Sequence, residues 1–245
     1  ALKSTIQLSL SKGQKLIIDI FDSYNLSLYQ INTLEIVQDS RNRWYACITV
    51  KDFTRQASGK GSVGIDLGLK QSATTSTGDK LQIKQTQKWA NKLAVAQRAN
   101  NKSRAKAIHA KIKNSRLDAI HKFTTKLVQN NALIVVGDVK SRSFTNSMTN
   151  LAKLTYDAGW FELKRQLEYK CKHAGCQFEI VNESYTTQTC SHCGDMSSSP
   201  KGRAGLGIRG WRCAECGTWH DRDINAAKNI LAVGLDRLAV GIPSV

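Results

Sequence analysis

This 245-residue sequence is poor in acidic residues and has neither long apolar runs nor a leader-like N-terminus. No stretch reaches the roughly eighteen consecutive apolar residues of a membrane-spanning helix, and the first residues carry no signal-peptide pattern. These two absences argue against membrane spans and secretion, so we expect a cytoplasmic protein. In that compartment its seven cysteines stay reduced or bind metal. Nineteen Asp and Glu stand against 36 Lys and Arg, leaving a net charge of +17. A clustered excess of that size points to a polyanionic partner. Ala1 opens directly into strand-like sequence, and we expect that N-terminal material has been removed or is missing.

Residues 1–60 read as β-rich, with strands at Thr5 to Leu10, Leu16 to Phe21, Ile31 to Gln38 and Trp44 to Val50. The signals between them are Ser11-Lys12-Gly13 and Asp39-Ser40-Arg41-Asn42. A small barrel or curled sheet is expected, either touching a nucleic-acid backbone or packing as half of a larger domain, with Cys47 in its core. Residues 57–62 read as a linker. From Ser62 the pattern becomes mixed α/β: strands at Ser62 to Gly68, Ser72 to Thr75 and Leu81 to Ile83, with a turn at Thr77-Gly78-Asp79. Lys84 to Asn130 holds no Gly or Pro and carries twelve basic residues with one acid, Asp118, and reads as helix. Ile108, Ile112, Ala119, Phe123 and Leu127 form an inward stripe. Lys102, Arg104, Lys106, Lys111, Lys113 and Arg116 are left outside, as a phosphate-backbone track. Leu133 to Val136 is a buried strand leading into Gly137-Asp138. A helix from Leu154 to His173 follows, closed at Gly175-Cys176, and then a strand from Phe178 to Val181 with Glu183 just beyond it.

Two stretches carry chemistry. Cys190, Cys193, Cys213 and Cys216 form two CxxC pairs at the spacing of a closed four-thiolate zinc site. Such a site is structural, and its zinc should hold a ribbon together. A redox reading needs a CxxC at a thioredoxin-like helix start, which neither pair provides. Cys171 and Cys176 lie outside this spacing. The second stretch is Gly64-Ile65-Asp66-Leu67-Gly68, a strand ending in one carboxylate between glycines that admit close approach of backbone or metal-bound phosphate. His220 to Ala227 opens a helix on which Asp221 is the N-cap and Asp223 projects from the first turn. Asp223 becomes a metal ligand only if it meets Asp66.

GIDLGLK at 64–70, the basic helices, DAGW at 157–160, YTTQTCSHCG, WRCAECG and HDRDINAAKNI, in this order, resemble the RuvC-like nuclease of the TnpB family. These are transposon-encoded, RNA-guided DNA endonucleases related to type V CRISPR effectors. The resemblance covers about residues 62–235. It implies an α/β, RNase H-like (RuvC) mixed sheet with an inserted zinc ribbon, preceded by a small β-rich, wedge-like segment at 1–60. The nuclease would occupy 61–189 and 217–245, with the ribbon at 190–216. It further implies one structural Zn²⁺, two catalytic Mg²⁺ held by an Asp, Glu, Asp triad, a guide RNA, a target DNA and association with the nucleoid.

Asp66 matches the first acid of that triad and Asp223 the third, but Gly137 stands where the family has its Glu. Asp138 is a poor substitute, because adjacent strand residues point to opposite faces. Members of the family commonly carry proline near position 183, so Glu183 stands out. Its strand should neighbour the one ending at Gly137, about 4.8 Å away, so its carboxylate could reach over the glycine. The expected function is therefore two-metal phosphodiester hydrolysis at Asp66, Glu183 and Asp223. The alternatives are a nuclease-silent RNA-guided DNA-binding repressor and a strand-joining transposase.

Overall fold

The computed structural model describes residues 2–22, 24–51, 59–139, 158–201, 205 and 207–240. The chain divides into two compact units between Arg55 and Gln56. In the first, β1 (Leu2–Ser11) pairs antiparallel with β2 (Gln14–Asp22), and β3 (Gln30–Gln38) with β4 (Trp44–Lys51). The four expected strands are present, but as two separate hairpins rather than one barrel or curled sheet. Asp22 supplies a physical reason: its carboxylate accepts from the Tyr24 and Leu26 amides at 2.9 and 2.8 Å. It thereby fixes a short 3-10 turn, Leu26–Leu28, between β2 and β3. Cys47 is exposed, not core.

The second unit holds β5 (Gly61–Asp66), β6 (Ala73–Thr75), β7 (Lys80–Leu81), α1 (Gln85–Arg98), α2 (Lys102–Asn130), β8 (Asn131–Gly137), α3 (Trp160–Ala174), β9 (Gln177–Val181), β10 (Gly210–Arg212), β11 (Trp219–Asp221) and α4 (Arg222–Ala239). Residues 57–58 of the expected linker and 154–157 of the expected helix lie outside the described residues. The central sheet runs β7-β6-β5-β8-β9. β5, β8 and β9 are parallel and β6 is antiparallel to both its neighbours.

The long stretch expected as helix is two helices. Neither Gly nor Pro breaks it; Asn100 does so by taking the left-handed conformation at φ 48°, which asparagine tolerates better than most residues. The Asn101 side chain then caps α2 by accepting from the Arg104 amide. At 29 residues α2 is about 44 Å long and packs in two parts. Ile108 and Ile112 pack with Ala96 of α1, while Ile120, Leu127 and Val128 join the sheet core. The inward stripe therefore changes phase, and Ile120 rather than Ala119 is fully buried. On α3, Trp160, Leu163 and Leu167 are buried, whereas Phe161 is exposed.

Period-two alternation makes three layers. Ile134 and Val136 of β8 face α2 and α3, with Val63 and Ile65 of β5 beside them. Leu133 and Val135 face Ile230 of α4. α4 lies so close to β5 that a Cβ on Gly64 would come 2.0 Å from the Ala227 carbonyl oxygen. Close approach at this glycine thus serves the helix, not a phosphate.

Candidate functional site

Strand alternation also selects the side chains that meet at the C-terminal edge of the parallel strands. Asp66 shares the α4 side of β5 with Gly64, and Gly137 shares that side of β8 with Leu133 and Val135. Asp138 points the other way and pairs with Lys164 of α3 at 2.9 Å. Asp66, Glu183 and Asp223 line one cavity of about 380 Å³, together with Trp160, Arg209 and Arg222. The Trp160 indole N–H donates to the Ser72 carbonyl at 3.1 Å, tying the start of α3 to the sheet.

Glu183 fills the space above Gly137. A Cβ on Gly137 would lie 3.1 Å from Glu183 Oε2, 3.3 Å from Glu183 Cβ and 2.9 Å from Ile230 Cδ1. Asp223 leaves the first turn of α4, which Asp221 caps by accepting from the Asp223 and Ile224 amides at 3.0 and 3.1 Å. Arg209 donates to both Asp223 oxygens, at 2.9 and 3.1 Å. Burial, then the charges of Asp223 and Glu183, push the Asp66 carboxyl well above the usual carboxylate range; Arg222 and Arg209 oppose this. Burial raises Glu183 as well, with Lys164 opposing and Asp138 reinforcing. The three carboxylates share the cavity without closing on one another. Among the described residues only the four cysteines bring three or more ligand atoms all within 4.8 Å.

That cysteine cluster can bind zinc. Cys190 Sγ lies 3.7 Å from Cys216 Sγ, and Cys193 Sγ lies 3.6 Å from Cys213 Sγ. A tetrahedron with Zn–S arms of ~2.3 Å has edges of about 3.8 Å. Each CxxC closes with the same turn: the Gly194 amide donates to the Cys190 carbonyl at 2.9 Å and the Gly217 amide to the Cys213 carbonyl at 3.0 Å. Asn225 and Asn229 of α4 clamp the approach to Cys190. Asn225 Oδ1 accepts from the Ser191 amide at 2.9 Å and its Nδ2 donates to the Thr189 carbonyl at 2.8 Å; Asn229 donates to the Thr186 and Thr189 carbonyls.

Of the expected phosphate track, Lys102, Arg104, Lys106, Lys111 and Lys113 are exposed and Arg116 is half-buried. Lys111 Nζ sits 4.7 Å above the Trp89 ring, a contact that orders it while leaving it on the surface. Sequence reasoning missed Arg209, Lys164 and the two asparagines. Only the asparagines carried a signal, lying four residues apart on one face of the helix that bears Asp223.

Two family descriptions match successive parts of the chain, "Probable transposase" over residues 45–148 and "Cas12f1-like, TNB domain" over residues 160–230. A relative from Streptomyces pristinaespiralis named "Putative RNA-guided DNA endonuclease" is 34% identical over 224 residues, 85% of this chain and 54% of the relative. Along successive stretches the chain is similar to the TnpB family. A second relative, "Putative RNA-guided DNA endonuclease InsQ" of Escherichia coli (strain K12), is 32% identical over 234 residues, 84% of the chain and 57% of the relative. The chain thus spans just over half the length of these curated relatives. Its α/β fold with a mixed sheet is similar to that in a cryo-EM structure of a Cas12f1-sgRNA-target DNA complex. The TM-score is 0.51 at 16% identity, covering 94% of this chain and 66% of the other.

Proposed function

We propose that the chain is the RuvC-like nuclease portion of an RNA-guided DNA endonuclease of a mobile element. One observation carries the reading: Asp66, Glu183 and Asp223 converge on one cavity, and Glu183 occupies the volume that a side chain at position 137 would use. The sheet order, with β6 alone antiparallel, supports an RNase H-like nuclease over 61–189 and 217–245, with the ribbon at 190–216 and a wedge-like segment at 1–60. Ligands of open α/β sheets gather at such carboxyl ends.

The donor set fits Mg²⁺. Its oxygens are hard ligands, and three acidic side chains share one cavity. Two Mg²⁺ bound there would supply an activated water and stabilise the leaving oxygen during phosphodiester hydrolysis. The protein's own part is positioning. Asp66 and Asp223 approach from strand and helix, Glu183 reaches over Gly137, and the Asp221 cap orients the turn that bears Asp223. Arg209 and Arg222 face the cavity, where their charge favours a phosphate. Trp160 and Leu67 form part of the cavity wall.

Target choice would come from RNA–DNA pairing, with the basic face of α2 holding backbones without reading bases. The printed names of the relatives, which pair RNA guidance with DNA cleavage, support these partners. Zinc at the four cysteines would be structural. Among the described residues no helix is long and apolar enough to cross a membrane.

The test is Mg²⁺-dependent cleavage of DNA matched to the RNA that co-purifies with the protein, comparing the parent, Asp66→Ala and Glu183→Ala. Loss of cleavage in both variants is expected. Tight guided binding without cleavage by the parent would instead identify a silent DNA-binding protein.

A further inference from the structure

We propose that His220 is a positioning residue that joins the four-cysteine site to the turn bearing Asp223. The residue is 5% exposed, and its Nε2 lies 3.0 Å from Cys190 Sγ. The ring also tilts against the Trp211 indole, centroids 4.7 Å apart at 36°. Trp211 is the residue opposite His220 in the β10–β11 ladder, and β10 runs straight into Cys213. A ring held on one side by packing and directed at a single sulfur is oriented to donate a hydrogen bond to a thiolate. Four thiolates on one Zn²⁺ carry surplus negative charge, and a donor to one of them offsets part of it.

The backbone of His220 makes the connection. The next residue, Asp221, caps the Asp223 and Ile224 amides with Oδ1 and takes Lys80 Nζ at 3.0 Å with Oδ2. Cys190 is also gripped from within α4, because buried Asn225 binds the backbone on both sides of it, at Thr189 and Ser191. Cys190 is thus held from β11 and from the first turns of α4 together. The metal that fixes its sulfur thereby fixes the frame from which Asp223 projects. The inference rests on the cysteine cluster binding zinc, and its importance for catalysis rests on Asp223 belonging to the proposed site. Its test uses no cleavage assay, so failure of either reading is distinguishable.

The experiment compares the full chain with His220→Phe, which fills the space without donating, and His220→Gln, which restores a donor. Zinc affinity is read by chelator competition, the sulfur-to-metal charge-transfer band after Co²⁺ substitution, and the frame by hydrogen exchange over residues 219–231 with and without zinc. In His220→Phe zinc affinity should fall about 10- to 100-fold and the Co²⁺ band should move, while His220→Gln stays near the parent. Stripping zinc from the parent should speed exchange of the Asp223 and Ile224 amides about fivefold, the value of one missing cap, with residues 131–137 still protected. Phe and Gln variants that are equally weak would reduce His220 to packing and overturn the proposal, as would lost protection at 131–137 in His220→Phe. Unchanged affinity and band in His220→Phe, or unchanged exchange on stripping, would overturn it as well.

Discussion

Moving the acid back to β8 separates position from composition. Glu183→Ala removes one carboxylate from the cavity; Gly137→Glu with Glu183→Ala returns it from the neighbouring strand. The interatomic distances set the magnitudes. In Gly137→Glu alone the new Cβ would meet Glu183 Oε2 at 3.1 Å, Glu183 Cβ at 3.3 Å and Ile230 Cδ1 at 2.9 Å. Two carboxylates would then compete for one space. Overpacking of this kind costs about 1–3 kcal/mol, or a Tm loss of about 2–12 °C for a chain of this size. In the double variant the Glu183 Oε2 atom is absent and the Ile230 methyl can turn aside, so Tm should stay within about 4 °C of the parent. Loss of a metal ligand costs several kcal/mol of transition-state stabilisation; about 4 kcal/mol is roughly a 10³-fold slower Glu183→Ala. The double variant should recover at least about tenfold of this in single-turnover cleavage with Mg²⁺. Parent-like cleavage by Glu183→Ala would refute a role for that carboxylate. A folded, DNA-binding double variant no faster than Glu183→Ala would refute the equivalence of the two positions.

Asp66→Asn should raise the metal-free Tm at neutral pH, because burial and neighbouring acids make the charged form of Asp66 costly. Since the folded carboxyl titrates above its unfolded value, parent stability should fall as pH rises from the ordinary carboxylate range toward the raised one; an unchanged pH–Tm curve in Asp66→Asn would contradict this. Gly64→Ala places a methyl against the Ala227 carbonyl, where backbone on both sides cannot yield. It should cost about 3 kcal/mol, read as a Tm drop of about 6–12 °C; a drop under about 2 °C would mean that α4 is not held so close. Lys111→Ala with Lys113→Ala should weaken nucleic-acid binding and reduce the log–log salt slope by about 0.7–0.9 for each phosphate no longer neutralised. Binding unchanged at raised salt would remove both lysines from the interface.

What could be read from the sequence followed from short-range rules. The hairpins came from alternation and turn residues, the thiolate cluster from spacing, and the Asp221 cap from residue type. Even the meeting of Glu183 with Gly137 was foreshadowed, because alternation assigns a face to each residue and parallel strands end at one edge. Three features escaped for long-range reasons. α2 changes partner along its length, so its buried stripe shifts from Ile112 to Ile120. Arg209 reaches Asp223 only because residue 209 lies beside the start of α4, where its carbonyl accepts from the Arg222 amide. Cys47 has an apolar residue's pattern, yet its hairpin leaves it exposed.

Because Glu183 Oε2 stands 3.1 Å from where a Cβ at 137 would be, an alignment column and a position in space are different objects in this sheet. A screen that demands an acid at the end of the central strand would discard this chain as inert. A screen that asks which side chain fills that volume would retain it, and would find the acid on the loop that leads seven residues later to Cys190. If the proposed site is right, mutational drift could pass an acid between adjacent strands while the site stays where it was. Lineages sorted by column alone would count one centre as two.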